Sequence, residues 1–233
     1  MKTKFETLGF EYQGWTVSLN GACSETTFVG YADIHQAAVH RYRITLSAPR
    51  ADEPAFFKKL SGMATTYIDE CCAELAQQNA DLTSAFLSAN PNADALLSRL
   101  IYVSWSSHPI SADVHDILRV STRNNPGNGI TGALCFLRGV YMQYLEGPTG
   151  AVEALFQKIE VDKRHHMPKL LDRCLVAERS FEDWNMASIQ WDHECEDILR
   201  THAHGARLDL YQVPPKAAAA LFHKLVYAKC LLV

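Results

Sequence analysis

Apolar residues change their spacing along the chain, and each change predicts a different element. Trp15-Thr16-Val17-Ser18-Leu19 alternates apolar with polar and runs into Asn20-Gly21, a turn signal. Thr26 to Ile34 is a weaker strand carrying Phe28, Val29 and Tyr31. His40 to Leu46 alternates again, with Tyr42, Ile44 and Leu46 on one side. After Pro49 the period lengthens: Phe57, Leu60, Ala64, Ile68, Cys71 and Leu75 recur at three and four residues, predicting a helix from about 54 to 79. Residues 80–94 lose the pattern and read as a linker or a frayed helix end. Residues 1–95 therefore predict a small βββα unit, one helix covering a sheet.

A second series begins near residue 96. A strand at 99–105 precedes a helix with Ser111 as its N-cap and Val114, Ile117, Leu118 and Ser121 turned inward. Asn124-Asn125-Pro126-Gly127-Asn128-Gly129 stops that helix. Strands 130–137 and 140–146 flank the turn Arg138-Gly139, and a helix at about 149–160 buries Val152, Leu155, Phe156 and Ile159. Two more strands are expected near 168–178 and 186–190. The order βαββαββ is that of a ferredoxin-like unit with one added strand. Helical patterns at about 194–203 and 214–229 close the chain, and an apolar sheet face left bare would need them as a cover. The expected class is α+β, divided as 1–95, 96–192 and 193–233.

Composition narrows the function more than the fold. The 233 residues are 48% hydrophobic and 21% charged, ordinary values for a globular chain. No apolar run of about 18 residues and no secretory leader is evident, so neither membrane nor export is expected. Seven cysteines without CxxC spacing suggest reduced thiols in a cytoplasm. Residues 1–95 hold 7 Lys/Arg against 11 Asp/Glu, residues 96–192 hold 10 against 11, and the remainder 5 against 4. With no basic segment, direct nucleic-acid binding is disfavoured. His35 and His40, like His202 and His204, lack a surrounding ligand set and read as ordinary histidines rather than metal ligands.

One residue breaks its own pattern. Gly139-Val140-Tyr141-Met142-Gln143-Tyr144-Leu145-Glu146-Gly147 is a strand rich in β-branched and aromatic residues with a carboxamide at its centre. A buried amide carries two donors and an acceptor, and each left unpaired costs about 1–3 kcal/mol. The strand near 100 carries one hydroxyl-bearing ring, Tyr102, on the face shared by Leu100 and Ser104, while Gln143 shares a face with Tyr141 and Leu145.

Arg99-Leu100-Ile101-Tyr102-Val103-Ser104, Asn124-Asn125, Gly129 to Leu134, Met142 to Gly147, Asp162-Lys163-Arg164-His165 and Phe181 to Met186 stand in the order and spacing of a BLUF domain. Over roughly residues 97–190 the chain resembles that family of flavin-binding blue-light sensors. The resemblance implies a flavin, FAD or alternatively FMN or riboflavin, lying between the two helices on one face of the sheet. It implies that Asn125 bonds the polar edge of the ring with Asn124 beside it. Ile130 and Thr131 would lie under the ring, and Asp162, Arg164 and His165 would line the pocket or approach the phosphate end. It further implies that Tyr102 gives up an electron and a proton through Gln143, whose amide is left rotated or tautomerised. Trp184 and Met186 would sit near that glutamine, one or the other next to the flavin. Asn124 stands where other members have His or Lys, and Trp105 is an additional ring beside the site.

The reading that follows is a light sensor with no catalytic residues, not an enzyme. Its state would pass to a protein partner or to the chain's own N-terminal unit, in a cytoplasmic homo-oligomer. A ferredoxin-like interaction domain that binds no flavin is the alternative. A small acyl-phosphate hydrolase would need an arginine-lined loop after the first strand, and Ser106-Ser107-His108-Pro109 has none. Residues 1–95 carry no catalytic motif.

Overall fold

The N-terminal alternation builds more sheet than three strands. The computed structural model describes residues 3–4, 8–36, 39–49, 53–93, 96–106, 112–182, 185–189, 193–202 and 210–230, and these fall into two compact units, Met1–Glu74 and Leu75–Val233. In the first, β1 (Thr3–Lys4), β2 (Leu8–Tyr12), β3 (Trp15–Cys23), β4 (Thr27–Gln36) and β5 (Val39–Pro49) form one antiparallel sheet in the order β1-β3-β4-β5, with β2 also paired to β3. The expected βββα unit is thus corrected to five strands and a helix. Tyr12 pairs with Trp15 across a two-residue turn whose members, Gln13 and Gly14, both have positive φ, the twist a tight hairpin needs.

Asn20-Gly21, read from sequence as a turn, lies inside β3 instead. Gly21 pairs with Gly30 of β4, and a Cβ on Gly30 would come within 2.7 Å of the Phe56 ring. Gly30 is a notch that lets the helix seat an aromatic ring on the sheet. That helix, α1 (Glu53–Ala89), buries Phe57, Leu60, Ala64 and Ile68 of the predicted stripe, leaves Cys71 and Leu75 partly buried, and buries Phe56 beside them. It continues ten residues past the expected end at 79, so the linker expected over 80–94 is helical up to Ala89.

The second unit contains β6 (Leu97–Ser106), α2 (Ala112–Asn124), β7 (Thr131–Leu137), β8 (Val140–Pro148), α3 (Thr149–Glu160), β9 (His165–Leu175), β10 (Ala187–Ile189), α4 (His193–His202) and α5 (Pro215–Cys230). The sheet order is β10-β7-β8-β6-β9, antiparallel except for β10 against β7. This is the ferredoxin-like arrangement with a parallel fifth strand at one edge, a mixed sheet in an α+β fold. The Arg138-Gly139 turn has positive φ at both residues, as a two-residue hairpin requires. A Cβ on Gly132 would fall 2.0 Å from the Tyr144 carbonyl oxygen, so only glycine fits where β7 crosses β8. The Ser111 cap falls outside the described residues.

Both faces of the sheet are covered. Leu100, Tyr102, Leu134, Tyr141 and Leu145 meet Ile117 of α2 and Val152, Phe156 and Ile159 of α3. On the other face Ile101, Val103, Met142 and Tyr144 meet Leu199 of α4 and Leu221, Phe222 and Leu225 of α5. Double coverage explains why β6 and β8 are apolar almost throughout rather than alternating. No described helix is long and apolar enough to cross a membrane.

Candidate functional site

The covered faces differ in one respect: α2 and α3 leave room between them. A cavity of about 280 Å³ lies there, with Ile117, Ile130, Leu155 and Ile159 as its apolar walls and Asn124, Asn125, Gln143, Asp162, Arg164 and His165 among its polar ones. Its size is near the lower end of the roughly 300–1,000 Å³ common for ligand pockets. The mixture suits a flat apolar ring with a polar edge.

Gln143 reaches the cavity from the middle of the sheet. It stands directly opposite Tyr102 of β6 and opposite Leu134 of β7. Facing residues of an antiparallel pair put their side chains on one side of the sheet, so the phenol and the amide meet. The Tyr102 hydroxyl, in a fully buried ring, donates to Gln143 Oε1. Burial pushes the phenol's pKa well above its ordinary value, so the proton stays on oxygen and is available to donate. The other end of the amide donates from Nε2 to Met186 Sδ at 3.3 Å. A thioether is a weak acceptor. Gln143 is therefore held firmly at its oxygen and loosely at its nitrogen.

Met186 is brought there by the connection between β9 and β10. Asn125 steadies that connection: its Nδ2 donates to the Asn185 carbonyl at 3.0 Å. Asn125 can do so because α2 has just ended, and a 3-10 turn at Pro126–Asn128 with left-handed Gly129 turns the chain beneath it. Asn125 is buried, whereas Asn124 is exposed at the rim. Trp184 lies outside the described residues.

The far wall carries charge. Arg164 bonds Asp162 through Nη2 at 2.6 Å and Asp116 of α2 through Nη1 at 2.9 Å, tying the end of α3 to α2. The guanidinium holds the Asp162 carboxyl below the usual carboxylate range. His165 is buried, its Nδ1 within 2.8 Å of Ser104 Oγ. Burial lowers its pKa to about 4, so the ring is neutral at neutral pH.

The comparison with known families rests on this same stretch. Residues 97–187 match the BLUF family model, described as sensors of blue light using FAD. Residues 97–187 form a BLUF domain.

The photoactivated adenylate cyclase subunit alpha of Euglena gracilis is 44% identical over 70 residues, which is 30% of this chain and 7% of that protein. Subunit beta of Euglena longa is 35% identical over 108 residues, or 43% of this chain and 12% of that protein. The chain thus spans only a small part of the cyclase subunits it resembles. Among solved structures, BlsA in its ground state is 28% identical with a TM-score of 0.54, covering 57% of this chain and 90% of that one.

Within the BLUF domain Asn124, Asn125, Ile130, Gln143, Asp162, Arg164 and His165 line the cavity, while Tyr102 and Met186 are joined to it through their bonds to Gln143. Thr131 does not line it. The Thr131 hydroxyl accepts from Arg179 Nη1 at 2.9 Å and lies 3.3 Å from Glu146 Oε1. The buried Glu146 carboxylate also accepts from the Phe181 and Ser180 backbone N–H groups, at 2.6 and 2.9 Å. This second polar cluster, on the opposite face from Gln143, fastens the start of the segment whose end carries Met186. Sequence reasoning missed Glu146, although a carboxylate in an apolar strand is the same signal that singled out Gln143. Ser104 and Tyr141 were also missed as site residues. Both share the alternating face of Tyr102 and Gln143, and the Tyr141 and His165 rings lie 5.0 Å apart.

Proposed function

We propose that this chain is a blue-light photoreceptor without catalytic activity of its own, holding a flavin (FAD, with FMN or riboflavin as alternatives) in the cavity between α2 and α3. The observation that carries the reading is the buried Tyr102–Gln143–Met186 chain opening onto that cavity. A bound flavin supplies blue absorption and an excited state able to accept one electron. Tyr102 is the residue placed to lose an electron, and its proton already points along the hydrogen bond to Gln143. Gln143 is the switch. Turned over, its nitrogen would donate to the Tyr102 oxygen in place of the bond it now accepts, whereas its oxygen would face a thioether with no proton to give. The contact to sulfur is therefore the one lost without replacement. Asn125, with Asn124 at the rim, serves the polar edge of the ring; Ile130 lies along it, and Thr131 supports the strand beneath. Arg164, paired to Asp162, and His165 form the polar far wall.

Met186 and its neighbour Trp184 sit on the segment that would register the turned amide, because loss of the sulfur contact frees β10 to shift. In this reading residues 96–192 sense, residues 193–233 cap the sheet, and the output goes to a cytoplasmic protein partner, a second copy of the chain, or residues 1–95.

Spectroscopy of the purified chain tests it. The preparation should be yellow, and blue light should shift the flavin band to the red reversibly. Gln143→Leu should keep the flavin and lose the shift. A colourless protein that takes up no added flavin would favour the flavin-free interaction domain, and a normal photocycle in Gln143→Leu would remove the amide from its assigned role.

A further inference from the structure

Helix α1 changes character along its length. Up to Ile68 its buried positions are apolar. From Leu75 to Ala89 it is mostly exposed, and its covered positions are Leu75, Asn79, Thr83 and Phe86, a narrow stripe spaced four, four and three. The most deeply buried of these is polar: Asn79 is 3% exposed. Its Oδ1 accepts from the Leu170 N–H at 3.0 Å, while Nδ2 donates to the Pro168 carbonyl at 2.6 Å and to Glu160 Oε1 at 3.1 Å. Because β9 is the outer strand of its sheet, one carboxamide supplies at that point what a further strand would supply. Seven residues on, about 10 Å along a helix, the Phe86 ring lies 5.6 Å from the Arg173 guanidinium. Leu170 to Arg173 covers about the same length of strand. This half of α1 follows β9.

The gripped stretch is the irregular part of that strand. The register of β9 against β6 slips between Ile101 and Tyr102 and again between Val103 and Trp105. Met167 has a φ of 49°, unusual for a side chain of its size, and Pro168 offers no N–H. Leu170 is the cross-strand neighbour of Tyr102. His165, where the stretch begins, lines the cavity. A strand with two slips holds its place poorly by its own ladder, and Asn79 supplies the missing hold.

We infer that Asn79, outside the matched residues 97–187, is a positioning residue of the light-sensing site, and that α1 carries a change at Tyr102 and His165 toward residues 1–74. The inference rests on the blue-light reading and adds to it the route of the signal. Coupling is reciprocal: if the light state alters the grip of Asn79, removing that grip must alter the lifetime of the light state.

The test uses the flavin-loaded full chain, with two readouts: the dark-recovery rate and amide hydrogen exchange of Leu170 and residues 53–74 in darkness and under light. Asn79→Ala should keep its flavin and its red shift. Its recovery rate should change about fivefold, equivalent to one net hydrogen bond of about 1 kcal/mol, and the light-minus-dark exchange difference over 53–74 should vanish. Asn79→Gln keeps the carboxamide but carries it one methylene further from Leu170 and Pro168. It should give an intermediate result, and it carries the test if the alanine variant does not fold. Wild-type recovery and exchange in a folded variant with its red shift intact overturns the inference and leaves the blue-light reading standing. A wild-type chain that binds flavin without shifting overturns the reading itself.

Discussion

Neighbouring residues of β8 meet opposite surroundings. Met142 and Tyr144 face a layer closed by α4 and α5, where Tyr144, Phe181 and Phe222 stack edge and face with centroids 4.8 to 6.4 Å apart. Tyr141 and Gln143, on the alternate positions, face a layer where α2 and α3 stand apart around a cavity. One strand thus contributes to a sealed core and to an open site, separated only by the thickness of the sheet. The closed face is built of packed rings and aliphatic side chains with one hydrogen-bonded polar cluster at Glu146, while the open face keeps a loosely held amide and a buried neutral histidine, both poor choices for stability alone.

Truncating each face is the strongest way to break that contrast. Phe222→Ala, from a fully buried ring, should cost about 3–5 kcal/mol in denaturant unfolding. Leu155→Ala, partly buried at the cavity wall, should cost only about 1 kcal/mol while weakening flavin retention. Equal losses at the two positions would mean that the faces are packed alike.

Acid should cost the open face more than the closed one. His165 has a folded pKa of about 4 against an ordinary value of 6.5, so between those values the unfolded chain binds the extra proton and the folded chain does not. Stability therefore falls as the pH drops from about 6.5, and the loss attributable to this ring levels off near 3 kcal/mol below about pH 4. Burial lowers His223 on the closed face as well, with the same sign. Asp162, held low by Arg164, gives up its contribution only at more acid pH. Stability measured against pH should lose most of its slope between pH 6.5 and 4 in His165→Gln. A slope unchanged in that variant but flattened in His223→Gln would move the acid-sensitive group to the other face.

The smallest expected effect sharpens the comparison. Met186→Leu keeps the volume and removes the sulfur that accepts from Gln143, so unfolding should shift by less than about 1.5 kcal/mol. Recovery in the dark should change, because the amide loses its weaker anchor. An unaltered photocycle would show that the thioether takes no part in holding Gln143.

Much of this was legible in the residues. Period-2 spacing placed Tyr102 and Gln143 on definable faces, and the three-and-four spacing of α1, α2 and α3 marked the sides they bury. Failures came where a local signal had a tertiary use. Asn20-Gly21 looked like a turn because glycine is common there, but Gly21 pairs within the sheet with Gly30, whose missing side chain makes room for the Phe56 ring. Residues 80–89 looked like a linker because only Thr83 and Phe86 among them are covered, too few to make an apolar stripe. Thr131 was grouped with the ring-side residues by the family resemblance, yet the alternation of a strand sends adjacent side chains to opposite faces.

The sequence by itself determined most of the elements and the two candidate residues at the centre, because periodicity and an out-of-place carboxamide are properties of neighbours along a chain. Which residues answer that amide was decided only by tertiary structure. Strand register set Tyr102 against Gln143, and the return of a distant segment set Met186 against its nitrogen. A hydrogen bond is fixed by distances between atoms, and separations of 41 and 43 positions along the chain place no limit on those distances until the sheet has formed.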